Sequence, residues 1–485
     1  MKIFRAIGRA ITGKKRQRKF SAARNDRLID WSLGWVRING QLKQDYRLMV
    51  ERARDLAQNN EFVTGYLENI ERNVIGADGF RLQSLARNPD GSFDRETARE
   101  VCSLWKEYQA EEFSYVSADG SQGGREFDAL VIRTMLTDGE AFIRRVIDPS
   151  SPFGVRYQVL DSLDIDYLYN EELGDGGRIV MGVKITATGL PVSYFVRESN
   201  GDYYQTGERF EIPASEIIHL YRKRFPGQVR GITGLAATVL NIAQLDEYKE
   251  AEIVAAKLQA ANCAVYERTG SEDGILDDED GDENGNIMRE MSPGQIGVAP
   301  RGYSLKQVTP NHPNSNFAGF TKSVLRGISC SLGLSYNKAA GDYENINYSS
   351  SKAATLEDHT TYETLQKFMI GKWKSRQYAD FLRYSALSGL LKVGFQRLPG
   401  LLCHRFYGKR AQWLDPQKEL AGKKLEYELM RTDPITELEA AGRDPEETLD
   451  NWKRFGEMCA ARGLSFQVTP VTTVVMEEEK EEVTA

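Results

Sequence analysis

The chain has 485 residues, 41% of them hydrophobic and 27% charged, with a formal net charge of −7. That length accommodates two to four domains and a large core, and the acidic balance excludes a whole-surface nucleic-acid binder, which needs a strong basic excess to neutralise many phosphates. No uninterrupted apolar run approaches the ~20 residues that span a bilayer, so a soluble chain with no transmembrane helix is expected.

The first segment, 1–24, is a basic arm: Lys2, Arg5, Arg9, Lys14, Lys15, Arg16, Arg18 and Lys19 stand without an acid, and Ile3, Ile7 and Ile11 recur at helical spacing. Such a segment mimics a transit peptide, lies on a membrane surface, touches nucleic acid or simply stays solvated. Gly8 to Lys15 nearly spells a phosphate loop, but Lys15 replaces the Ser or Thr that would hold magnesium and no strand can precede it.

From Gln44 to Val74 apolar residues return at helical spacing, interrupted at Asn59-Asn60, which predicts a long or broken helix. Further helices are predicted over Arg95–Tyr108 and Glu126–Leu136, the latter ended by Asp138-Gly139. The period then changes to two over Ala141–Ile147, Val155–Leu160, Ile179–Thr186 and Val192–Val196, with a turn at Thr188-Gly189. These strands belong to an antiparallel or mixed sheet, so the residues up to about 234 read as an α+β domain.

Leu235 to Thr269 contains neither Gly nor Pro and is rich in alanine, which predicts a helix on the order of 40 Å long. It reads either as one core helix or as a helix crowded against copies of itself. Residues 270–314 break into Gly, Pro and acids before Asn316–Leu334 turns helical again. Lys322 and Arg326, four apart, project from one face; a solvent face is the plain reading, and in a ring each becomes a circle of positive charge.

Ser335 to Ser350 is rich in Tyr, Asn, Ser and Gly: too polar for a core, too aromatic for a linker, and so an ordered functional loop. Beyond it Tyr362, Leu365, Met369 and Trp373 form a helical stripe, followed by a helix over Tyr378–Leu391. Asp415-Pro416, Asp433-Pro434 and Asp444-Pro445 each place an N-cap residue before a proline suited to a first helical position, predicting a small helical bundle. Glu477, Glu478, Glu479, Glu481 and Glu482 mark an acidic tail expected to be disordered over 468–485.

Catalytic motifs are scarce. The four histidines lie far apart and form no metal pair, and no nucleophile elbow occurs. The five cysteines are scattered without CxxC spacing, which argues for reduced thiols in a cytosol-like compartment. Asp280, Asp282 and Asn284 stand at the first three donor positions of a calcium loop, but Met291 occupies the place of its bidentate acid. The rival readings are thus an ATPase or nuclease, which lacks its motif here, and a calcium-dependent binding protein; no cofactor is expected.

Taken in order, Asn69–Ser84, Asp138–Phe142, Glu216–Leu220, Pro226–Gly231, Asp246–Glu252, Asn347–Ser350 and Gln412–Pro416 make the chain resemble the lambda-type portal (head-tail connector) family of tailed bacteriophages over about residues 40–467. The resemblance implies an α+β portal fold assembled as a twelve-subunit ring at one capsid vertex, with no enzymatic activity. It implies a wing (25–234), stem helices (235–262 and 315–334), a small α/β clip (263–314), a tunnel loop (335–350), wing or spine helices (351–400) and a helical crown (401–467). Lys322, Arg326 and Lys338 would line the DNA channel, and Tyr336, Asn337, Asp342, Tyr343, Glu344, Asn345, Asn347 and Tyr348 would form the tunnel loop. Asp277, Asp278, Glu279, Asp280, Asp282 and Glu283 would meet partners at the clip edge. Those partners would be the terminase large subunit, head-completion or neck proteins, major capsid and scaffolding proteins, and double-stranded DNA passing without sequence preference. The virion would be its location after assembly in the host bacterial cytoplasm, with no membrane contact.

Overall fold

The computed structural model describes residues 37–174, 176–197, 207–260, 264–268, 303–307, 316–344, 346–410, 416–440, 443 and 445–464. The basic arm, the acidic tail, the clip acids Asp277 to Glu283, the calcium candidate and Asn345 fall outside the described residues.

The expected N-terminal helix is broken into Ile38–Asn59 and Glu61–Val74. Asn60 makes the break. Its backbone is extended, its side-chain oxygen accepts from the amides of Phe62 and Val63, and its amide nitrogen reaches Asp246 at 2.7 Å. An asparagine that caps one helix and bonds a distant one satisfies otherwise orphaned donors in a nearly inaccessible place. The next helices run Arg95–Gln109, capped by Asp94, and Gly124–Asp138, ended by Gly139 at φ +94°. Only glycine fits at 139: a Cβ there would stand 2.3 Å from the carbonyl carbon of Ile232.

Every ladder between two strands of the described residues is antiparallel, giving a mixed α+β architecture. One sheet has Glu140–Ile147 between Val155–Leu160 and Ile217–Tyr221. A second is a five-stranded meander of Glu171–Glu172, Arg178–Val180, Val183–Ile185, Pro191–Arg197 and Arg209–Pro213. The strand expected over Ile179–Thr186 is therefore two strands. Met181 and Gly182, both at positive φ, form a tight hairpin between them, and the apolar alternation runs through the turn without revealing it.

The segment His404–Tyr407 is a strand paired with Arg81–Ser84, so this stretch completes a sheet of the N-terminal half and the C-terminal helices start only at Pro416. A four-residue strand is too short for its period to be read. The buried stripe Tyr362, Leu365, Met369 and Trp373 is as expected, but the helix Tyr348–Met369 passes through one wide π turn, Ile370–Lys374, before continuing over Ser375–Leu387. It joins the same core as the N-terminal helices: the Trp105 ring lies 5.1 to 5.7 Å from those of Tyr378, Phe381 and Phe406.

The alanine-rich helix is Val239–Ala260, ~33 Å long and shorter than expected. The chain goes on through antiparallel strands Ala264–Arg268 and Tyr303–Gln307 and returns along Phe317–Leu332. Tyr248 packs on Phe317 and Phe320 where the two helices meet. The last helices begin at Pro416, Pro434 and Pro445. Asp433 caps its helix by accepting from the Thr436 amide at 2.9 Å. The last helix docks on Arg95–Gln109 through the pairs Arg95–Glu446 and Arg99–Asp450. Among the described residues no helix is long and apolar enough to cross a membrane.

Candidate functional site

The polar segment after Leu334 is ordered by three carboxylate or amide clamps. Gly333, left-handed at φ +72°, ends the preceding helix and lets the Leu334 amide reach back to the Ser329 carbonyl. Ser335 then donates both its amide and its hydroxyl to Asp358, at 2.6 and 2.7 Å, while Thr361 donates to the Gly333 carbonyl. The entry to the segment is thereby tied to the helix Tyr348–Met369. At its exit Asn347 caps that helix, accepting from the Ser350 amide at 2.8 Å.

The third clamp is Asp342. One oxygen accepts from Lys322 Nζ at 2.9 Å and from the Tyr336 hydroxyl at 2.8 Å, and the other accepts from the Glu344 amide. The Lys322 bond first, then that of Tyr336, hold the Asp342 carboxyl down at about 2. Burial, followed by the same carboxylate, pushes the Tyr336 phenol up to about 12. The Tyr336 ring lies 5.4 Å from Lys322 Nζ and 5.5 Å from the Arg326 guanidinium, so both cations of the preceding helix face one aromatic ring. Lys338 lies 5.4 Å from the Tyr362 ring.

The expected loop is thus partly helical: Tyr336–Ala340 forms a short helix ended by Gly341, and Asn347 and Tyr348 belong to the start of the next one. Tyr336 is occupied within its own chain, whereas Tyr343 and Tyr348 are exposed and Asn337 is half-buried. The two basic side chains on one helix face differ, because Lys322 is bonded to a carboxylate and Arg326 is exposed. Asp358 and Thr361 were not anticipated. Their helical context gives no sign of them, since their partners lie more than twenty residues earlier. Among the described residues no group of three His, Cys, Asp or Glu is placed to hold a metal. Chemically the arrangement can exchange partners: a partly exposed ammonium–carboxylate pair yields to a competing anion, at a rate and extent set by salt.

The profile of the family described as phage portal protein, lambda family, matches residues 24–366. A probable portal protein of Halomonas phage phiHAP-1 is 28% identical over 453 residues, covering 90% of this chain and 87% of that protein. Portal protein B of Escherichia phage lambda is 22% identical, covering 91% and 85%. Among solved structures, a chain in the neck of a native GTA particle, computed with C12 symmetry, is 13% identical with a TM-score of 0.45, covering 83% of this chain and 94% of its own.

Proposed function

The chain belongs to the lambda family of phage portal proteins, and from that premise we propose that twelve copies form a ring at one capsid vertex through which DNA is packaged and later ejected. The observation that carries this reading is the family match from residue 24 to 366, joined by relatives named as portal proteins that cover nine-tenths of the chain. The protein is structural and not an enzyme. In this reading the terminase large subunit and head-completion proteins dock on it in turn, capsid and scaffolding proteins surround it, and it nucleates the procapsid in the host cytoplasm.

The out-and-back helices Val239–Ala260 and Phe317–Leu332 support a two-helix stem over 235–262 and 315–334, with the clip at 263–314 between them. The wing then takes 25–234, extended by 351–400 and by the strand His404–Tyr407, and the helices from Pro416 onward form the crown. An acidic subunit repeated around a channel repels phosphate and keeps DNA sliding. Lys322, Arg326 and Lys338 supply shallow, salt-sensitive contacts, screened beyond ~8 Å. Asp342 adds a latch: while it holds Lys322 and Tyr336 the loop is closed, and a passing phosphate competes for Lys322.

End-on electron microscopy of the purified chain should show closed rings; monomers or open filaments would rule the assignment out. Deleting 337–346 should leave rings intact and reduce DNA packaging or retention, and normal packaging would show the loop to be dispensable. Asp342→Asn should leave rings intact while amides of 336–346 exchange hydrogen about tenfold faster. Unchanged protection there would remove the latch from the mechanism.

A further inference from the structure

Several exposed arginines of this fold meet a carboxylate, as Arg47 does Glu51, Arg81 does Asp78 and Arg95 does Glu446. Arg222, Lys223 and Arg224 are different. They are consecutive and exposed and have no carboxylate partner among the described residues, in a chain that carries an excess of acids. The tight turn that presents them is built rigidly. The buried Gln228 side chain accepts from the amides of Arg224 and Phe225, at 2.8 and 3.1 Å, and donates to the Arg230 carbonyl. Tyr221 donates to the Gln228 carbonyl, and Asn39 fastens the far side by donating to the Gly227 carbonyl and accepting from the Val229 amide.

A turn held by that many bonds keeps like charges together at an electrostatic cost. Partial burial of its head group, then the nearby Arg222, push the Arg224 guanidinium below its ordinary value, and the charges of both arginines oppose the rise that burial gives the Tyr66 phenol. An anion with several oxygens relieves this repulsion, and arginine forks match phosphate oxygens in pairs. The exposed Phe225 ring beside them adds an apolar edge suited to a sugar face.

We propose that Arg222, Lys223 and Arg224 form a preformed phosphate-backbone site for double-stranded DNA. The choice of DNA as the anion rests on the portal reading. The site has no groups placed to read bases, so it binds without sequence preference.

The test is anisotropy of a random-sequence fluorescent duplex titrated with the full-length protein over a range of salt. Arg222→Gln/Lys223→Gln/Arg224→Gln is compared with Arg47→Gln/Arg81→Gln/Arg95→Gln, which removes the same net charge elsewhere. The first variant should bind about tenfold more weakly and its log–log salt slope should fall by about two to three, while the control stays near the unsubstituted protein. Equal effects in the two variants would overturn the proposal. So would a first variant that keeps its DNA affinity but loses binding to a peptide of residues 476–483, which would assign the turn to the chain's own acidic tail. Matching thermal melts establish that both variants fold. Failure of the ring reading is distinguishable, because monomers would then bind duplex through 222–224.

Discussion

Glu140→Gln is expected to cost about 3–5 kcal/mol of folding stability, the range for breaking a buried ion pair by removing one partner. Glu140 and Arg230 are both fully buried and meet at 2.7 Å. The carboxylate accepts from four donors: the Tyr46 hydroxyl, Arg230 Nε, His219 Nε2 and the Gly231 amide. Arg230 in turn donates to the carbonyls of Met181 and Ser162, so this one cluster fastens the first helix, the central strand and the meander. Urea denaturation followed by tryptophan fluorescence measures the loss. A loss under ~1 kcal/mol would mean that the carbonyls alone satisfy the guanidinium.

The same cluster sets an acid dependence. Burial opposes ionisation of Glu140, but Arg230, then His219 and Tyr46, outweigh it and bring the carboxyl down to about 2. Its stabilisation is therefore complete above the ordinary carboxylate range, near pH 4.5, and is lost as pH falls toward 2. His219 is pushed below its ordinary value, chiefly by burial. It stays neutral when folded and protonates when unfolded, which lowers stability as pH drops through about 6.5. Glu140→Gln should flatten the limb between pH 4.5 and 2.

Asp128→Ala is expected to be comparably severe, about 3–5 kcal/mol, for a different balance of forces. Lys374 and Asp128 are buried and 3.0 Å apart, with the Trp373 indole donating to the same carboxylate at 2.6 Å. Here burial wins over attraction: it raises Asp128 and lowers Lys374, each against the pull of its partner. Such a pair adds little net stability, yet either member left alone is costly. The double variant Asp128→Ala/Lys374→Met should therefore recover about 2 kcal/mol relative to the sum of the single losses. Additive single losses would show that the two charges are not coupled.

What could be read from the chain was whatever local spacing controls. Asp-Pro at 433–434 forecast a helix start because cap and first residue are neighbours, and Asn59-Asn60 forecast a break for the same reason. The Glu140 cluster was invisible because its members come from positions 46, 140, 219 and 230, brought together only by the fold. The loop after Leu334 announced itself by composition. Its closure did not, since nothing local says that Asp342 reaches back twenty residues to Lys322.

The wide turn at Ile370–Lys374 has a consequence for the length of the chain. Continuing an unbroken 3.6-residue period from Met369 would bring positions 376 and 383 to the core face; both are arginines and both are exposed. The inserted residue instead carries Tyr378, Phe381 and Ser385 inward. Register beyond Met369 is thus set by a count. Losing a single codon there would rotate the whole following helix by about 100°, turning its oily side to water and its arginines to the interior, which no exchange of one side chain for another can imitate.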